Sequence, residues 1–244
     1  MVYRGLHDDD TNFQDYTVRI SRGEAELIAA IQKLVEEADR IYTADTAELP
    51  SIHFDRHLYQ PLLVEHGDKI RSEPAGLNES ERRFVEDMRT YCRSEKDKSL
   101  ADKEVFLLRN LSRGKGIGFF DKRGFYPDFI LWVKDDSTQR IVFVEPHGML
   151  HAEAYVHDDK ARLHESLPGL AKAIAARTGL TNVSLDSFIV SATPYEDLRV
   201  KYDDGTWDRK RFAEAHILFP ERTEGYDYLE AVFRPRLSAV AVAE

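Results

Sequence analysis

The spacing of apolar residues along the chain alternates between the period of a helix and that of a strand. Leu27, Ile28, Ile31, Leu34, Val35, Ala38 and Ile41 recur every three or four residues, which predicts an amphipathic leader helix over residues 23–42. Residues 51–72 are mixed, with Phe54, Leu58, Tyr59, Leu62, Leu63 and Val64 interrupted by Pro61. Ser72-Glu73-Pro74-Ala75-Gly76 has the chemistry of a linker, so a helical leader region over 1–76 and a main domain over 77–244 are expected. The main domain opens on a helix signal. Asn78 is a good N-cap, Glu81 follows three residues later as in a capping box, and Phe84, Val85, Met88 and Tyr91 form a stripe ending near Cys92 or Arg93.

Short β-type runs follow at 105–108, 129–133 and 141–145, the last two separated by the polar turn 134–139 and so read as a hairpin. A long helix is expected over 158–177 from Ala161, Leu163, Leu167, Leu170, Ala171 and Ile174, with Pro168-Gly169 breaking or kinking it. Strands at 187–191 and 215–219 and a short helix at 226–233 complete the pattern. Helix, three strands, then helix and strand again predicts an α/β fold, a mixed β-sheet flanked by helices.

Composition narrows the class. Hydrophobic content of 42% and charged content of 32% are those of a globular protein, and no apolar run approaches the roughly 20 residues of a membrane helix, so no membrane partner is expected. The first ten residues lack the basic and apolar regions of a secretory signal, and the single Cys92 excludes an internal disulfide and a multi-cysteine zinc site, which together predict a cytoplasmic protein. The net charge of -10 argues against a broad nonspecific grip on DNA. One stretch differs: Arg109, Arg113, Lys115, Lys122 and Arg123 stand against the single acid Asp121, a basic loop able to face phosphates or simply a solvated surface.

The candidate chemistry lies at the end of the hairpin. A symmetric antiparallel pair aligns residues whose numbers share one sum, and Asp128 and Glu145 straddle the centre of the 134–139 turn, so the two acids face each other on one side of the sheet. Opposed carboxylates repel, and a cation between them relieves the conflict. Asp128, Glu145 and the main-chain carbonyl of Pro146 supply the hard oxygens that Mg²⁺ or Mn²⁺ prefers. The alternative is a pair of acids capping the open hairpin end in solvent. Glu81 falls on the same helix face as Phe84, Val85 and Met88 and has two possible roles, completing the capping box or reaching a metal or its water. His151, His157 and His164 have no zinc-site spacing and read as surface or helix residues. No P-loop, dinucleotide fingerprint or nucleophile elbow occurs.

Gly124-Phe125-Tyr126-Pro127-Asp128-Phe129-Ile130 followed by Phe143-Val144-Glu145-Pro146-His147-Gly148 resembles the PD-(D/E)XK nuclease superfamily. More narrowly it is similar to the nuclease-like domain at the C-terminus of some DEAD/DEAH-type helicases and type III restriction subunits. Supporting stretches lie at 77–91, 107–114 and 187–195, with 53–59 also fitting. The resemblance implies a restriction-endonuclease-like sheet, metal binding by Asp128 and Glu145, assistance from Glu81, and a lysine two residues after Glu145 that orients or activates water. The chain has His147 at that position. A neutral imidazole can accept a proton from water, or the lysine has migrated, with Lys160 the first candidate because the following helix returns to the same end of the sheet and Lys115 or Lys122 less favoured.

Two functions are therefore in play. One is a DNA endonuclease of a restriction or defence setting, with a helicase partner, Mg²⁺ or Mn²⁺ as cofactor, catalysis by Asp128, Glu145, His147, Glu81 and Lys160, and phosphate contacts from Arg109, Arg113 and Lys115. The other is a nuclease-like DNA-binding or scaffolding module that has lost cleavage, for which His147 speaks.

Overall fold

The computed structural model describes residues 17–26, 28–29, 32, 51–52, 62–63, 70–73, 75–110, 118–119, 125–152, 154–221 and 227–234. It forms two compact units, Met1–Arg89 and Thr90–Glu244. Most of the leader helix expected over 23–42 lies outside the described residues, as do residues 53–59.

Within the first unit, β1 (Thr17–Ile20) pairs antiparallel with β4 (Ile70–Glu73), and β2 (Ser51–Ile52) with β3 (Leu62–Leu63). Ser72 and Glu73, read from sequence as linker, are strand residues because Val18 and Thr17 stand opposite them. That partnership spans more than fifty residues and leaves no local signal. Helix α1 (Glu79–Glu95) starts as its sequence predicts. The Asn78 side chain accepts the Glu81 N–H at 2.9 Å, and the Glu81 carboxylate accepts the Asn78 N–H at 2.9 Å, closing the capping box. Phe84, Val85 and Met88 are buried on its inner face. Asn78→Ala is expected to destabilise the chain by about 1 kcal/mol, read as a lower urea midpoint at unchanged slope.

The second unit is built on a five-stranded mixed sheet. Its strands are β5 (Glu104–Arg109), β6 (Phe129–Lys134), β7 (Gln139–His147), β8 (Val183–Ser191) and β9 (Ile217–Leu218), hydrogen-bonded in that order. β6 runs antiparallel to both of its neighbours, β5 and β7, whereas β8 and β9 lie parallel to β7. The hairpin turn is tied by the Asp135 carboxylate, which accepts the Ser137 and Thr138 N–H groups at 2.9 and 2.7 Å. Those bonds hold the Asp135 carboxyl well below the usual carboxylate range.

The crossover from β7 to β8 carries α2 (Leu163–Thr178). Leu163 and Leu167 pack against Ile130 and Phe143, which fixes α2 over one face of the sheet. The helix begins five residues later than its apolar period suggests. Residues 159–162 form turns instead, held by the Asp158 carboxylate on the Ala161 N–H at 3.0 Å. Pro168 does not break it, since α2 runs unbroken through this residue. Pro168 and Gly169 lie on the exposed face while Leu163, His164 and Leu167 anchor the buried one, so the proline ring projects toward water rather than into the packing.

The remaining helices are α3 (Tyr195–Arg199), α4 (Arg209–Glu214) and α5 (Tyr228–Phe233). Met149, Ala161, Ile189, Leu198, Tyr202, Phe212, Ile217 and Phe219 make one cluster at the β8–β9 side. On the face opposite α2, Phe233 of α5 stacks on Tyr91 at 4.9 Å. The result is the expected α/β arrangement of a mixed sheet with flanking helices. No helix among the described residues is long and apolar enough to cross a membrane.

Candidate active site

The topology gathers the C-terminal ends of β5, β7, β8 and β9 and the N-terminal end of β6 along one edge of the sheet. Asp128 and Glu145 stand at that edge. Phe129 pairs with Val144, and the same register carried one residue further sets Asp128 opposite Glu145. The acids meet through the main chain: the Asp128 N–H donates to Glu145 Oε2 at 3.1 Å. Alternation along β7 puts Glu145 and His147 on the face of Ile141 and Phe143, and along β6 it puts Asp128 on the face of Ile130. This is the face that α2 covers.

Lys160 therefore arrives where the acids are. It lies in the turn that leads into α2, three residues before Leu163, and its ammonium donates to Glu145 Oε1 at 2.7 Å. The same ammonium lies 5.2 Å from the centre of the Phe125 ring, a cation–π contact on its second side. The Glu145 side chain is 8% exposed and that of Lys160 is 40% exposed, so the pair is anchored in the sheet at one end and open to solvent at the other.

His147, the last residue of β7, is exposed. Partial desolvation and then the positive charge of Lys160 hold its imidazole below the ordinary histidine value, against the opposing pull of Glu145 and Asp158. Its main chain is fixed, because the Ala192 N–H donates to the His147 carbonyl at 2.9 Å. Arg109 pairs with Phe129 and so stands at the same edge, one register position from Asp128, but on the sheet face opposite that of Asp128 and Glu145.

Two residues that sequence reasoning passed over help to build this edge. The Asn110 N–H donates to the Asp128 carbonyl at 2.7 Å, and its side-chain amide to the Pro127 carbonyl at 2.8 Å, pinning the backbone on both sides of the acid. Nothing local in the sequence marks Asn110 for this; the signal is its register, one residue beyond the end of β5. Asp158 lies close enough to act electrostatically on both His147 and Lys160. Glu81 belongs to the first unit, in the capping box of α1. Arg113, Lys115 and Lys122 fall outside the described residues. Burial pushes the Cys92 thiol up to about 12, which disfavours the thiolate that a nucleophile needs.

Carboxylate and main-chain carbonyl oxygens are the donor types that a hard divalent cation prefers. Each Glu145 oxygen accepts one of these hydrogen bonds, and a carboxylate oxygen has two lone pairs, so both keep acceptor capacity. Among the described residues no three or more His, Cys, Asp or Glu side chains gather in metal-binding proximity. A cation here would draw on two carboxylates, the Pro146 carbonyl and water, as Mg²⁺ commonly does. Comparison with protein-family models, curated proteins and solved structures finds no match to this chain.

Proposed function

We propose that the chain is a metal-dependent DNA endonuclease with a restriction-endonuclease-like sheet. The observation that supports this reading most is the contact of Lys160 Nζ with Glu145 Oε1 at 2.7 Å, beside Asp128. It joins two opposed acids and a lysine at one sheet edge, with the lysine supplied by the turn before α2 in place of the position held by His147.

A cation such as Mg²⁺ or Mn²⁺, held by Asp128, Glu145 and the Pro146 carbonyl, would supply Lewis acidity toward the phosphate oxygens. The chain's own residues account for the rest. The Lys160 ammonium offers a fixed positive charge and hydrogen-bond donor to a phosphate oxygen or to the attacking water. His147, at the solvent side of Glu145, has a ring nitrogen able to accept a proton from that water. Arg109 serves the flanking backbone, where Arg side chains position DNA through phosphate contacts. DNA as substrate, a DEAD/DEAH-type helicase as partner and a role in restriction or defence follow from the resemblance in the β6–β7 segment.

The test is cleavage of plasmid and linear DNA in Mg²⁺, Mn²⁺ or EDTA. Cleavage is expected with either metal and not in EDTA, and Lys160→Ala is expected to slow it by about a hundredfold while DNA binding persists. Undiminished cutting in EDTA overturns the reading. A wild-type chain that binds DNA but cuts none in either metal replaces it with the nuclease-like binding module.

A further inference from the structure

We propose that Thr193 is a positioning residue of this site, acting through the main chain on His147: its hydroxyl holds the chain just beyond the imidazole and so fixes where that ring stands beside Glu145. The role rests on the nuclease reading above and adds a residue to it.

The paired strands stop at the residue whose side chain has to be aimed. β7 ends at His147 and β8 at Ser191, and these two residues stand opposite each other. One more main-chain bond follows, from the Ala192 N–H to the His147 carbonyl at 2.9 Å. Beyond it the side chain of Thr193 takes over, and its Oγ1 accepts the Met149 N–H at 2.8 Å in the interior. His147 and Gly148 are exposed, whereas Pro146 before them and Met149 after them are buried. The exposed pair is therefore bracketed by two bonds, one on the peptide that follows His147 and one on the peptide that follows Gly148. A glycine between free peptide planes rotates widely. With both planes tied, the backbone torsions at His147 are held, and with them the direction of its Cα–Cβ bond; catalysis is sensitive to displacements of about 1 Å in such a group.

Thr193 is itself anchored on both sides. The Ser191 hydroxyl donates to the Thr193 carbonyl at 2.8 Å, and both residues are more than nine-tenths buried. Pro194 is the N-cap of α3, and its carbonyl accepts the Leu198 N–H at 3.0 Å. Leu198 in turn packs in the same core cluster as Met149. The Met149 main chain is thus held by Thr193, and its side chain by a core that the helix after Thr193 helps to build. To fill the space alone, valine would serve as well as threonine; the hydroxyl is what the Met149 N–H requires.

Valine and serine separate the hydroxyl from the methyl. Thr193→Val keeps the shape and removes the acceptor, and Thr193→Ser keeps the acceptor. Single-turnover cleavage is expected to fall by about tenfold or more in Thr193→Val with DNA affinity unchanged, and to return toward wild type in Thr193→Ser. His147→Ala shows whether the loss runs through the imidazole: on that background Thr193→Val should cost roughly twofold at most, since a ring already absent cannot be misplaced. Equal losses on the two backgrounds overturn the proposal, as does wild-type cleavage in Thr193→Val. A second readout needs no cleavage: hydrogen exchange of the Met149 amide, followed by NMR on the full chain without DNA. Thr193→Val should speed that exchange by about tenfold while the amides of β5 and β6 keep their rates, and an unchanged rate at Met149 overturns the proposal. The wild type alone gives the same decision if the valine variant does not fold: its Met149 amide should exchange more slowly than those of Gly148 and Leu150, and equal rates end the clamp. If the wild-type chain cuts no DNA, the nuclease reading falls and exchange alone decides. Faster exchange at Met149 in Thr193→Val then sustains the hold of Thr193 on the His147 segment, and an unchanged rate ends it.

Discussion

Glu145→Gln is expected to lower single-turnover DNA cleavage by roughly a thousandfold while leaving the fold intact. The glutamine has nearly the same volume and keeps an oxygen for the Asp128 N–H that Glu145 accepts at 3.1 Å. What disappears is the charge that faces Lys160 and, with Asp128, makes the edge a place for a cation. Loss of one strong electrostatic partner of the transition state is worth about 4 kcal/mol, or three powers of ten in rate. Stability should move far less. Lys160 is 40% exposed, so on losing its partner it turns into water, and such half-open pairs contribute about 1 kcal/mol or less. The variant therefore separates chemistry from folding: cleavage and thermal midpoint are measured on the same preparation. A Glu145→Gln chain that cuts DNA within tenfold of wild type removes Glu145 from the reaction, whatever its stability.

The acid pair was legible in the sequence because a hairpin is a local object. The polar turn fixes its centre, and the sum that aligns Phe129 with Val144 also aligns Asp128 with Glu145. Lys160 was legible only as a direction, a helix returning to the same edge. Its true setting is a turn, because Asp158 and the 3-10 turn before it compete with the first helical residues for the backbone. Periodicity cannot show that competition, since Ala161 and Leu163 keep the helical spacing either way. The extension of β7 to His147 was hidden for another reason. Beyond the hairpin its pairing is with β8, where His147 lies opposite Ser191, forty-four residues away in sequence. Asn110 belongs to the same class: its bond to the Asp128 carbonyl exists only once β5 and β6 are in register.

Asp186 is the residue of this kind with the largest expected effect on stability. Arg140 and Asp186 sit on neighbouring parallel strands, and because Val142 aligns with Asp186 the two side chains are diagonal neighbours on one face. Arg140 donates to Asp186 Oδ2 at 2.7 Å and also to the Val232 carbonyl of α5, while His216 Nδ1 lies 3.0 Å from Asp186 Oδ1. Both members of the ion pair are more than nine-tenths buried. Burial by itself raises a carboxyl, but the hydrogen bonds and charges of His216 and Arg140 outweigh it and take Asp186 down to about 2.

Asp186→Ala leaves the Arg140 charge buried without its partner, a loss of about 3–5 kcal/mol and a large share of the 5–15 typical of a folded domain. Acid should erase part of that difference. A depressed carboxyl contributes stability that is present above its unfolded value, near 4, and is lost as pH falls toward its folded value of about 2. Urea unfolding at pH 6, 4 and 2.5 should accordingly show the gap between wild type and Asp186→Ala closing at the acid end. A gap that stays constant with pH would assign the loss to packing rather than charge. The double variant Arg140→Met, Asp186→Leu checks the same point from the other side. With both charges gone the desolvation cost disappears too, so it should recover most of the stability that Asp186→Ala alone gives up.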